Sequence, residues 1–132
     1  MVVVLIIAIL VVLALPTFLG ARERAADRAT QADIRNAFAA ERAYYTDTLT
    51  YTTNPLAMTA IEAAITYVDG DTPLVDGVAY LHLHPVPNEI FVSAKSASGS
   101  CWYLREIDAG GAQFASDAAC GVADTQAFTD RW

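Results

Sequence analysis

Few side chains in this sequence combine the type and spacing that chemistry requires. His82 and His84 flank Leu83, and on an extended strand residues two apart share a face, which places two imidazoles at a spacing able to hold zinc or copper. No third ligand can be named, so two solvent-facing strand histidines form the competing reading. Asp69, Asp71 and Asp76 in DGDTPLVDG carry oxygens suited to calcium, but the twelve-position pattern of an EF-hand is missing and an Asp/Gly turn explains the same residues. Glu106 and Asp108 lie one strand repeat apart and read as a solvated face in preference to a general acid with its base. Gly-x-Ser-x-Gly, a phosphate-binding glycine loop and His-Glu-x-x-His do not occur. No enzyme is expected, and neither a cofactor nor a metal is assigned.

The two cysteines, Cys101 and Cys120, can bridge or stay as buried thiols. A bridge is the favoured reading, because an oily N-terminus beside paired cysteines argues for an oxidising, extracytoplasmic location. Closing that loop would contribute roughly 3 kcal/mol on the chain-entropy argument. The aromatic residues Phe18, Phe38, Tyr44, Tyr45 and Tyr51 read as core packing.

The elements that position these groups are set by an uneven composition. The chain has 132 residues, 55% hydrophobic and 17% charged, with a formal net charge of −7, a pI near 4.5 and a mean hydropathy of +0.33. That is one domain's worth of chain, too apolar for disorder. A single lysine and an acidic balance argue against direct nucleic-acid binding. Residues 1–21 contain no ionisable side chain, and residues 1–15 are aliphatic apart from methionine. As a helix they would span roughly 30 Å, the thickness of a bilayer's hydrocarbon core. No second run of this kind exists, which excludes a multi-pass protein. A cleaved signal is disfavoured because no basic residue precedes the run and it passes directly into a helical pattern.

Residues 22–45 are rich in Ala, Arg and Glu, without Gly or Pro, and Ile34, Phe38 and Tyr45 recur at helical spacing on one face. The two segments therefore read as one helix of about 45 residues, close to 65 Å long. Pro16 removes a backbone hydrogen bond at a cost near 3 kcal/mol and marks a break, and Gly20 adds a second weak point.

The string from the aliphatic run through Pro16, Phe18, Leu19, Gly20, Ala21 and Arg22 to Glu41, Tyr44 and Tyr45 resembles the N-terminal helix of type IV pilins and pseudopilins. The resemblance covers about the first third of the chain; the rest is similar in layout alone. Family members begin with a phenylalanine-type residue and a nearby glutamate, and those residues are expected upstream of Met1. The resemblance implies subunits that wait in the cytoplasmic membrane and are extracted by a pilus assembly machinery. They then polymerise as a homo-polymer, with Met1, Val4, Ile6, Ile9, Val12 and Leu15 in the core of a helical filament. It also agrees with a C-terminal bridge between Cys101 and Cys120, and implies a helix that loosens ahead of Pro16 on assembly.

Beyond the helix, residues 46–77 read as a connection with a short helix at 56–65 and a loop at 69–77. Residues 78–132 read as a sheet with strands at 78–86, 89–95, 101–107 and 112–115, plus a loose tail. The expected fold is α+β: a long N-terminal helix, apolar in its first half (1–21) and amphipathic in its second (22–45), packed through Ile34, Phe38 and Tyr45 on a small antiparallel sheet. Five arginines face four acids in residues 22–45, whereas eleven acids face three cations from residue 46 onward, so the outer domain is acidic. The leading expectation is the major subunit of an extracellular type IV pilus. The alternatives are a pseudopilin of a secretion or DNA-uptake system and a single-pass anchored binding domain.

Overall fold

The computed structural model describes residues 1–83, 88–107 and 111–132, the side chains of residues 12–17 excepted. Val12, Leu15 and Pro16, together with His84 and Asp108, therefore lie outside the described residues.

Helix α1 runs Val2–Thr48, 47 residues, or about 70 Å of rod. It continues through Gly20. A lone glycine costs only about 1 kcal/mol in a helix, and the Ala-, Arg- and Glu-rich sequence on its C-terminal side favours continuation. The helix stops at Leu49, which adopts a left-handed conformation (φ 59°) and donates its N–H to the Tyr45 carbonyl at 2.8 Å. In the last turns Thr46 and Thr48 fold their hydroxyls back onto the helix, donating to the Arg42 and Tyr44 carbonyls one turn earlier, each at 2.9 Å.

Helix α2, Pro55–Ile61, begins with Pro at its first position and an Asn54 side chain that accepts from the Leu56 N–H at 3.0 Å. It is shorter than the sequence suggests, because Glu62 turns extended at its end. The chain beyond it forms a strand where the sequence suggests only a connection, with a loop from residue 69: β1, Thr66–Asp69.

Four further strands follow, β2 (Val78–Leu83), β3 (Glu89–Lys95), β4 (Cys101–Ile107) and β5 (Ala112–Asp117), giving a five-stranded sheet in sequence order. The sheet is mixed and not wholly antiparallel as expected. β1 pairs with β2 in parallel, Thr66 opposite Val78 and Asp69 opposite Leu81, and the other three pairings are antiparallel. The loop at 70–77 is long enough to carry the chain back along a four-residue strand, which is what parallel pairing of neighbours demands.

Helix α1 lies on one face of this sheet. Ile34, Ala37, Phe38 and Ala40 pack with Met58 of α2 and with Tyr67, Ala79, Leu81, Ile90, Val92, Ala94 and Leu104 of the strands. Ile34 and Phe38 thus stand where helical periodicity placed them. Tyr45 is half-buried and stacks on Tyr51, with centroids 4.6 Å apart, while Tyr44 is the tyrosine that packs against the core.

The opposite face of the sheet is also covered. Phe91, Cys101, Tyr103 and Ala115 pack against Ala123, with Cys120 and Phe128 alongside. The C-terminal segment is held and not loose. Phe114 and Thr129 exchange backbone hydrogen bonds at 2.7 and 2.8 Å, and Trp132 Nε1 donates to the Ala115 carbonyl at 3.1 Å.

Candidate functional site

The most unusual surface is the first turns of α1. Val2, Val3, Val4, Leu5, Ile6, Ile7, Ile9, Leu10 and Val11 are each between 49% and 70% exposed, and Phe18 and Leu19 continue the pattern at 67% and 55%. No described residue covers them. The β3–β4 turn comes near the helix where Ala97 and Ser98 line a hollow with Leu19, Arg22, Glu23 and Ala26; Ser98 donates to Asp27 Oδ1 at 2.5 Å, and Thr30 is the first buried position among the described residues. Met1, Val4, Ile6 and Ile9, expected in a filament core, are exposed here. Covering each such aliphatic side chain fully is worth about 1.5–3 kcal/mol, and a continuous apolar surface of this length calls for a partner or a lipid phase.

Among the described residues, no helix is long and apolar enough to cross a membrane. The apolar turns with described side chains, Val2 to Val11, would cover about 15 Å, half of the hydrocarbon thickness.

The solvent side of the second half of α1 has a second feature that the sequence reading overlooked. Ala25, Ala29, Ala32, Ala39 and Ala43 are all exposed, three or four residues apart for the most part, and lie opposite the face that holds Ile34 and Phe38. Small side chains let another backbone approach closely. The signal that could have found them is a seven-residue spacing of alanine with arginine: Ala25 and Arg28, Ala32 and Arg35, Ala39 and Arg42.

At the far end of α1 lies a polar cluster. Arg42 donates through Nε to Glu106 Oε2 at 3.1 Å and through Nη2 to Oε1, and the Tyr51 hydroxyl donates to Glu106 Oε2 at 2.7 Å. The Glu106 residue is 1% exposed, so the solvated face expected for it does not exist. Its sheet face is the one that α1 covers, and the carboxylate is kept ionised by a cation reaching over from the helix. The Arg42 hydrogen bonds, with help from Tyr51, lower the Glu106 pKa, and the same carboxylate together with burial pushes the Tyr51 phenol well above its usual range.

One residue back, Glu41 is fully buried. Its Oε2 accepts the Thr52 N–H at 3.3 Å, while Oε1 has no hydrogen-bond partner among the described residues. Burial raises its pKa from 4.5 to about 7, opposed only by the Thr52 amide.

The remaining candidates serve the fold. His82 is half-buried with Nε2 3.5 Å from Asp124 Oδ1, and its ring stands 6.0 Å from Phe91. Asp71 accepts from the Thr72 hydroxyl at 3.0 Å, and Asp76 pairs with Lys95 at 3.4 Å, while Asp69 is exposed at the end of β1. Among the described residues, no group of three or more His, Cys, Asp or Glu is arranged to hold a metal ion. Cys101 and Cys120 form a disulfide with their Cα atoms 5.1 Å apart. It ties the start of β4 to the segment after β5, where Asp117 further accepts from the Ala119 and Gly121 amides, each at 2.9 Å.

No family model, curated protein or solved structure matches the chain.

Proposed function

We propose that the chain is the major structural subunit of an extracellular type IV pilus, polymerising into a helical filament through its apolar N-terminal helix. The observation that carries this reading is the exposure of every described aliphatic residue from Val2 to Val11, on a helix whose other half alone is packed on the domain. A helix apolar on all sides can be buried on all sides, which suits one surrounded by copies of itself. The local likeness of residues 1–45 to pilin helices supports the same reading.

In this mechanism the subunit rests in the cytoplasmic membrane, is extracted by the pilus assembly machinery, and exchanges lipid for the helices of its sister subunits. Met1, Val4, Ile6, Ile9, Val12 and Leu15 then lie in the core. The exposed alanines of the second half face neighbouring helices, and the acidic domain forms the coat, where it disfavours direct nucleic-acid binding. Residues in the Pro16 region, where the helix has lost a hydrogen bond, are the ones to unwind during packing.

Microscopy and helical diffraction of surface filaments purified from the source test the proposal. Filaments built of this chain, with the apolar peptide along their axis, are the expected result. Loss of secretion without surface fibres would assign it to a pseudopilin, and a monomer extracted only by detergent would leave an anchored domain. Val4→Asp or Ile9→Asp is expected to abolish filaments, because an unpaired carboxylate among packed apolar helices is strongly unfavourable. Normal filament yield from both variants would overturn the core assignment.

A further inference from the structure

The connection between α1 and α2, residues 49–54, is held down by two carboxylates from different elements. Glu106 of β4 takes the Tyr51 hydroxyl at 2.7 Å, and Glu41 of α1 takes the Thr52 N–H at 3.3 Å. The two acids are not equivalent. Glu106 has a guanidinium on both oxygens, whereas Glu41 is fully buried with a single long hydrogen bond and a bare Oε1. A second orphan lies nearby: the Tyr67 hydroxyl on β1, 5% exposed as a residue, has no partner among the described residues. Glu41 is near enough to push the Tyr67 phenol up, after burial and alongside Glu62.

We propose that Glu41 is a proton-operated latch: in its neutral form it holds residues 49–54 against α1, and on ionisation it lets them loosen. The neutral acid keeps the carbonyl oxygen that accepts from Thr52 and brings no charge into the apolar layer around it. The ionised form places a full charge in that layer with one long amide hydrogen bond and no cation bonded to it among the described residues, which is costly unless the surrounding segment opens to water.

The ionisable groups around Glu41 reinforce this sense. From β1 it is near Tyr67, which Glu62 at the end of α2 also influences, and neither residue can neutralise a carboxylate. The adjacent cation on its own helix, Arg42, is committed to Glu106 on β4, which also holds Tyr51 of the connection. The sheet residues of the same core, Ala79, Leu81, Val92 and Leu104, carry no charge. Burial accordingly sets the ionisation of Glu41 near neutrality, at about 7. The segment it governs carries the exposed Leu49, so a change in proton concentration would alter the surface that this connection presents.

The test is backbone amide exchange on the full chain in detergent micelles, corrected for the intrinsic pH dependence of exchange. Between about pH 5.5 and about pH 8.5, protection at Thr52 should fall by about tenfold or more while protection at Val92 in the central strand changes much less. Glu41→Gln, which keeps an acceptor for Thr52 but cannot ionise, should hold Thr52 protected at both pH values. Unchanged protection at Thr52 in the wild-type chain, a fall matched at Val92, or the same fall in Glu41→Gln would each overturn the latch. The Glu41 carboxyl carbon shift in the wild-type chain supplies a readout that needs no variant. A midpoint coinciding with the loss of Thr52 protection supports the proposal, and a midpoint in the ordinary carboxylate range overturns it.

Discussion

Arg42 stands next to two acids that have opposite titration behaviour, and the difference fixes how stability should vary with pH. Glu106 has its pKa lowered by the Arg42 hydrogen bonds, so its contribution is present above its ordinary 4.5 and is lost as pH falls through the lower folded value. Glu41 has its pKa raised to about 7 by burial, so the folded state favours its proton. That contribution is complete below 4.5 and is lost as pH rises from there to about 7. Thermal denaturation should therefore show a maximum on the acid side of neutrality, with an alkaline decline of about 3 kcal/mol at most. Glu41→Gln should flatten the alkaline limb and leave the acid limb in place. Arg42→Ala should cost about 2–4 kcal/mol in denaturant titration, because it strands a buried carboxylate; the lower end applies since the guanidinium is 53% exposed. A loss below half a kcal/mol would mean that Glu106 is solvated after all. None of this was legible in the sequence, where Arg42 and Glu106 are 64 residues apart and strand alternation does not say which face a helix will cover.

At the scale of elements, legibility followed the strength of the period. Ile34 and Phe38 repeat at helical spacing on a segment of good helix formers, and the helix indeed buries that face. Strands β2 to β4 begin where alternation and turn residues put them. β1 escaped because TYVD is four residues long, too short to show a period, and because its pairing depends on how far the loop at 70–77 reaches back. The cysteines offered a bridge or two thiols, and only the approach of their Cα atoms to 5.1 Å decides it. Replacing both cysteines by serine should lower stability by roughly 3 kcal/mol, or about 10–15 °C in Tm, since the bridge closes a loop and pins the segment that covers the back of the sheet. Phe38→Ala should cost about 3–5 kcal/mol by opening a cavity between helix and sheet, measured against the same baseline. If the serine variant melts where the wild type does, the C-terminal segment is held by the Phe114–Thr129 and Trp132 contacts alone.

For the molecule as a whole, the division between an exposed apolar rod and a packed domain can be placed at a residue. The apolar run and its end at residue 21 were plain from the sequence, but the start of the packed part was not, because it is set by how far the β3–β4 turn reaches along α1 to meet Asp27. On the N-terminal side of that contact the described side chains of α1 make no core: Val2 to Val11, Phe18 and Leu19 are exposed, and the buried set begins at Thr30. Their burial accordingly adds nothing to the stability of the isolated chain, and their exposure to water costs solubility instead. A chain that begins at residue 21 keeps Asp27, Ile34, Phe38 and the whole sheet. It should remain monomeric at high concentration, aided by its acidic balance, and unfold within a few degrees of the full chain held in detergent. Analytical ultracentrifugation and calorimetry on the two forms measure this directly. A truncated chain that melts far below the full one would show that the apolar half supports the domain from within the molecule, and the case for keeping that half free for sister subunits would then fail.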